Sequence, residues 1–180
     1  YPGTSAFLVR RETGTLALHR VSHGFVPGEI TQMLLIRMML IIAYVVELIG
    51  KGTYTAFANQ CRKSRPQFAA ILDEFGDHEY QHADLFRKAY IDNFGGTGFG
   101  AEGFWIGVGK AQAYLQYFCP MVFKLWLLGR LEKLFVDNTR DRGNKESNPF
   151  LDVLTTILPD ERKHADLFLR YRETSCTGAV

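Results

Sequence analysis

The sequence predicts an all-α protein: a four-helix bundle of two antiparallel hairpins joined by a long crossover and preceded by a short extended arm. Three observations predict it. Long apolar stretches with helical periodicity open at prolines, where a first turn tolerates them (Pro27, Pro66, Pro149). The connections after the first and third stretches are short, which makes each pair an antiparallel hairpin. One phrase is written twice, Glu79-Tyr80-Gln81-His82-Ala83-Asp84-Leu85-Phe86 and Glu161-Arg162-Lys163-His164-Ala165-Asp166-Leu167-Phe168, 82 residues apart.

Residues 1–27 read as an extended arm or hairpin, with Ala6–Val9 and Thr15–Leu18 flanking Glu12-Thr13-Gly14. The bundle is expected over 28–173 and a tail over 174–180. Helix one is expected over 28–62 and helix two over 66–91. A Gly-rich crossover follows at 92–103, and helix three runs over 104–140, kinked or broken at Pro120. Helix four spans 149–173, with Pro159 marking a kink or a fresh start. The 12-residue crossover reaches at most about 40 Å, enough to span a ~30 Å helix. Helix three is therefore expected to run parallel to helix one, with both hairpin turns at one end of the bundle.

Composition narrows the function classes. With 47% hydrophobic and 22% charged residues the chain reads as globular, and 21 basic against 19 acidic side chains give no charge argument for nucleic acid. Cys61, Cys119 and Cys176 are odd in number and contain no CxxC, which fits a reducing, cytoplasmic setting and no disulfide framework. The sequence shows no signal peptide and opens on Tyr1 rather than Met, so residues before it are expected. The apolar run Met33–Ile49 contains Arg37 and Glu47 and covers 17 residues, short of the ~20 of a membrane span. A buried helix is the expectation, and attachment to a membrane surface the alternative. Gly98-x-Gly100-x-x-Gly103 has no strand before it and is not expected to bind a nucleotide.

The doubled phrase carries chemistry. Each copy puts a carboxylate and an imidazole at i, i+3 on one helix face, Glu79 with His82 and Glu161 with His164. Two such pairs, with one glutamate from each of the other helices, make a di-metal carboxylate site in a four-helix bundle. In an antiparallel hairpin, residues equidistant from the turn share a height. Glu47 and Glu79 lie 16 residues either side of position 63, and Glu132 and Glu161 lie symmetrically about the point between 146 and 147. An unpaired carboxylate among Val45, Val46, Leu48 and Ile49 would be costly, which singles out Glu47. Asp84 and Asp166 point well away from the ligand face and are expected to face solvent or a neighbouring subunit rather than the metals. His19, His23 and His78 are expected to be ordinary polar residues. Tyr54 is either a hydrogen-bonding or redox residue beside the site or part of the core. Gly50 and Gly129 either leave room for a substrate or serve close helix packing.

Glu47 with Tyr54 seven residues on, Glu79-x-x-His82, Glu132 and Glu161-x-x-His164 resemble the ferritin-like di-iron carboxylate superfamily, over residues 28–173. The resemblance implies two Fe ions, with Mn or a mixed pair as alternatives. It implies Glu79 and Glu161 as bridges, Glu47 and Glu132 as caps, and His82 and His164 as one ligand each. Asp160 before Glu161 resembles a variant in which the aspartate partners a ligating histidine. O2 or peroxide and an external electron donor are implied as partners, a homodimer is allowed, and no rubredoxin-like CxxC is present. The apolar helices and the scarcity of further acids favour an oxygenase acting on a hydrophobic substrate. Iron oxidation or peroxide reduction is the alternative, and a metal-free structural bundle the second.

Overall fold

The computed structural model describes residues 6–10, 16–20, 27–96, 99–143 and 148–177. The chain divides into two compact units, 1–34 and 35–180. In the first, β1 (Ala6–Arg10) pairs antiparallel with β2 (Leu16–Arg20) with Leu8 opposite Leu18, and α1 begins. Residues 12–14, expected to form the turn, lie outside the described residues. Among the described residues five helices follow in chain order: α1 (Pro27–Cys61), α2 (Pro66–Phe94), α3 (Glu102–Leu115), α4 (Met121–Gly143) and α5 (Pro149–Thr177). The architecture is all-α and its helix packing is that of a ferritin-like bundle.

Local chemistry sets the helix ends. Pro66 opens α2, and Gly95 (φ 71°) closes it by donating its N–H to the Ile91 carbonyl. Asn148 caps α5, its Oδ1 accepting the Phe150 and Leu151 N–H groups at 3.1 and 3.0 Å. α5 runs unbroken through Pro159 to Thr177, so the expected fresh start there does not occur. Helix three, by contrast, is two helices. α3 ends in turns over 116–119, and the chain restarts at Met121 behind Pro120.

Side-chain contacts read along the chain give the helix directions. Arg37 meets Tyr90, Lys51 meets Asp77 and Arg62 meets Asp73, so α1 and α2 are antiparallel. Tyr44 meets Glu102, Thr53 meets Gly109 and Gln60 meets Ala113, so α3 lies parallel to α1. Lys124 then meets Gln60 and Glu132 meets Tyr54, so α4 runs antiparallel to α1. Phe68 stacks on Tyr171 and Phe86 lies against Phe150, so α5 is antiparallel to α2. This corrects the expected topology. The segment bearing Glu132 opposes α1, and the α4–α5 connection lies at the end of the bundle opposite the α1–α2 turn. The crossing is made by α3 itself and the reversal at 116–120, not by a loop over 92–103. α3 can lie against α1 because Gly52 and Gly109 face each other: a Cβ on Gly52 would collide with the Ile106 carbonyl, and one on Gly109 with that of Ile49.

Two apolar clusters fill unit two. Tyr54, Phe57, Leu72, Phe75 and Phe168 belong to one, and Leu40, Tyr44, Leu48, Phe86 and Ile157 to the other. A layer of buried acids and imidazoles, Glu47, Glu79, His82, Glu161 and His164, belongs to neither. The run Met33–Ile49 is buried on one face only. Leu40, Tyr44 and Leu48 are covered, whereas Leu35, Met38, Ile42 and Val46 are exposed, because neighbouring helices cover one side of α1. This departs from the expectation of a buried helix.

Candidate metal centre

Four helices each send one carboxylate into the buried layer: Glu47 from α1, Glu79 from α2, Glu132 from α4 and Glu161 from α5. The i, i+3 spacing places His82 beside Glu79 and His164 beside Glu161 on the same inward faces. Ligand atoms of Glu47, Glu79, His82 and Glu161 lie within 4.8 Å of one another, as do those of Glu132, Glu161 and His164. Glu161 belongs to both groups. Glu79 also reaches both, since its Oε1 stands 3.4 Å from His164 Nδ1. Glu132 is the least buried of the six, although its Oε2 is shielded from solvent.

The two histidines turn the same nitrogen inward. His82 Nδ1 is 3.0 Å from Glu161 Oε1 and 3.6 Å from Glu47 Oε2. Their outward nitrogens meet partners on the opposite helix: His82 Nε2 faces Asp160 Oδ2 at 3.4 Å, and His164 Nε2 faces His78 Nδ1 at 3.3 Å. His78 is therefore not an ordinary polar residue, contrary to the sequence expectation. It occupies for His164 the place that Asp160 occupies for His82. The signal was in the repeat, because the offset that carries Glu79 onto Glu161 carries His78 onto Asp160.

Five buried polar atoms converge here without a hydrogen bond: Glu79 Oε1, His82 Nδ1, Glu132 Oε2, Glu161 Oε1 and His164 Nδ1. Orphaned groups of this kind are costly unless something else satisfies them. Electrostatics agree. Burial, then the charges of Glu47 and Glu161, push the Glu79 carboxyl well above the usual range. Burial does the same for Glu132, against the hydrogen bond from Tyr54, and raises Glu161, against the nearby His82. Burial opposes a charge on His82, yet the carboxylates of Glu161 and Glu47 beside its Nδ1 lift its pKa to about 10. His164 goes the other way, to about 3, through burial and its proximity to His78 and His82. Divalent cations would satisfy the orphaned oxygens and nitrogens and neutralise the acids. The mix of carboxylate and imidazole suits Fe or Mn.

Residues 39–105 match the family model described as Rubrerythrin. The match makes this stretch similar to rubrerythrins, a family of the ferritin-like di-iron carboxylate kind. The match holds Glu47, Tyr54, Glu79 and His82, that is, the α1–α2 half of the centre. Glu132, Glu161 and His164 lie beyond it and are placed by the geometry alone. No curated protein and no solved structure matches the chain. A rubrerythrin-like stretch with this buried cluster fits a di-metal redox site.

The surroundings of the buried cluster are filled. A Cβ on Gly50 would stand 2.5 Å from Glu79 Oε2, so the space beside this glycine is taken by the carboxylate. A Cβ on Gly129 would meet Phe168 Cβ at 3.0 Å and the Ala165 carbonyl at 3.3 Å, so that glycine serves close packing of α4 on α5. Neither leaves room for a substrate. Tyr54 is buried, donates to Glu132 Oε1, and lies between Phe75, Phe168 and His164. Asp84 pairs with Arg87 at the surface, and Asp166 is exposed.

Proposed function

We propose that the chain is a di-iron carboxylate oxidoreductase that reduces peroxide, or O2, with electrons from a donor outside residues 1–180. The observation that carries it is the convergence of four carboxylates and two imidazoles, five of their atoms orphaned, in a domain of rubrerythrin type. Glu79 and Glu161 would be shared by the two ions, Glu47 with His82 would complete one position, and Glu132 with His164 the other. When bound and reduced, an iron pair would supply the two electrons that, with two protons, convert one peroxide into two waters. The protein's part is to neutralise the ions with four carboxylates, hold both imidazoles by their outer nitrogens, and surround the pair with packed aromatic rings.

The filled surroundings favour a small oxidant over a large substrate. The cavity lined by Tyr44, Leu48, Tyr80, Ala83, Asp84, Arg87 and Glu102 holds only about 10 Å³. The 310 Å³ hollow at Pro120, Val122, Phe123 and Trp126 contains none of the six ligands. An oxygenase acting on a hydrophobic substrate is therefore the weaker reading. The absence of a CxxC pair puts the electron donor outside this stretch of chain. The test is anaerobic loading with two equivalents of Fe(II), then rapid mixing with H2O2 or with O2. Oxidation of both irons by one peroxide, faster than by O2, is expected. Peroxide-inert iron, together with O2-dependent hydroxylation of an added apolar compound, would refute the proposal and restore the oxygenase.

A further inference from the structure

We propose that the two metal positions are unequal, the one at His82 holding a divalent cation more tightly than the one at His164. The inference rests on the di-metal reading above and concerns how this chain's own side chains divide the site. α2 and α5 are antiparallel and carry the same phrase, so the residue before each shared glutamate reaches the outer nitrogen of the other helix's histidine. Asp160 gives His82 a carboxylate there. His78 gives His164 a second imidazole, and the nearest carboxylate on that line is Glu74, 3.9 Å beyond His78 Nε2 and itself paired with Lys163 at 2.8 Å.

A carboxylate accepting the outer N–H makes an imidazole a more basic ligand and adds negative charge near the cation. An imidazole acceptor orients the ring without adding charge. His164 is thus positioned as well as His82 but donates more weakly. A second, independent difference points the same way. Glu132 Oε1 accepts the Tyr54 hydroxyl, which draws on one of its lone pairs, whereas Glu47 has no such competitor among the described hydrogen bonds. His78, Asp160 and Tyr54 are positioning residues in this scheme, each acting through a ligand it touches.

Two like cations repel, so a two-step titration alone would not establish inequality. Single-position variants would. Mn(II) is titrated calorimetrically into H164Q, which keeps the His82 position, and into H82Q, which keeps the His164 position. H164Q should bind one ion about 10–100-fold tighter than H82Q, the range associated with groups that orient metal ligands. Adding H78D or Y54F to H82Q should recover part of that difference. Equal residual affinities, or the reverse order, overturn the inequality while two ions in the parent chain leave the di-metal reading standing. A parent chain that binds no ion overturns both. If either glutamine variant fails to show parental helicity by circular dichroism, D160N and H78D in the parent chain decide. D160N should weaken the first Mn(II) step and H78D tighten the second, and effects on the opposite steps overturn the proposal.

Discussion

Gly50→Ala separates the two demands placed on Glu79, fitting the fold and reaching the metals. The added Cβ would stand 2.5 Å from Glu79 Oε2, 3.2 Å from its Cδ and 3.4 Å from its Cγ. Ordinary contact begins near 3.4 Å, so the oxygen must retreat by about 0.9 Å, the difference of those two values. Only the far end of a flexible side chain stands in the way, and it can swing. Inserting one methyl into a packed site costs about 1–3 kcal/mol when the neighbours are rigid. Replacing a mid-helix glycine by alanine returns roughly 1 kcal/mol. With the carboxylate free to turn, the metal-free variant should unfold within about 1 kcal/mol of the parent. Metal binding cannot absorb the same displacement, because Glu79 reaches both groups of ligands. Affinity for Mn(II) should fall on the order of 10–100-fold, as when an orienting contact is lost. Thermal unfolding of the metal-free proteins and calorimetric titration give the two numbers. Parental affinity for two ions in Gly50→Ala would refute the placement of Glu79. A melting temperature lower by more than about 8 °C would show instead that the carboxylate is locked by the fold.

Gly52→Ala or Gly109→Ala should behave oppositely, lowering metal-free stability by about 1–3 kcal/mol or more, because each new methyl meets a backbone carbonyl that cannot turn aside. The stoichiometry of the folded fraction should stay at two ions, checked by metal analysis. The pH dependence of the metal-free protein follows from proton counts. Glu79, Glu132 and Glu161 keep their protons to higher pH when folded, and His82 keeps its proton up to about 10. The unfolded chain releases these protons first, its carboxyls from about 4.3 and its imidazole from about 6.5, so these groups should lower stability as pH rises above about 4.3, with His82 contributing between about 6.5 and 10, by up to about 1.4 kcal/mol per unit per proton. His164, depressed to about 3, opposes this trend only below about 6.5. Excess Mn(II) binds the deprotonated ligands, so the gap in melting temperature between loaded and metal-free protein should widen over the same range. Asn148→Ala removes the α5 cap and should cost about 1 kcal/mol in thermal unfolding, with metal affinity unchanged.

Residue pairs fixed by local geometry were legible in the sequence, and partners fixed by tertiary register were not. Glu79 with His82, and Glu161 with His164, share a helix face whatever the rest of the chain does. The repeat aligned His78 with Asp160, but its role depends on the antiparallel register of α2 on α5, which lets a residue one step before a ligand touch the opposite helix. Gly50 was ambiguous for the same reason. A missing side chain can mean a void or an intruder, and only the rotamer of Glu79 shows that it is an intruder. The break at Pro120 was legible from the loss of a backbone donor. That the chain reverses there was not, because proline stops a helix without dictating where the next one points.

The misread direction nevertheless left the ligand set intact, and the helix lengths explain why. Glu132 is the midpoint of α4, Met121–Gly143. Glu79 lies one residue from the midpoint of α2, Glu161 two from that of α5, and Glu47 three from that of α1. Turning a helix end for end about its middle moves a central residue by almost nothing, so counting from either turn returns the same height. At ~1.5 Å per residue, reversing α4 leaves Glu132 in place, and reversing α5 carries Glu161 from two residues on one side of the middle to two on the other, about 6 Å or roughly one helical turn. A centre at mid-height is thus insensitive to the direction of α4, whereas residues near the ends are not. Lys124 meets Gln60, on the last turn of α1, only because α4 starts at that end. The residues that distinguish the topologies are therefore those far from the metal layer.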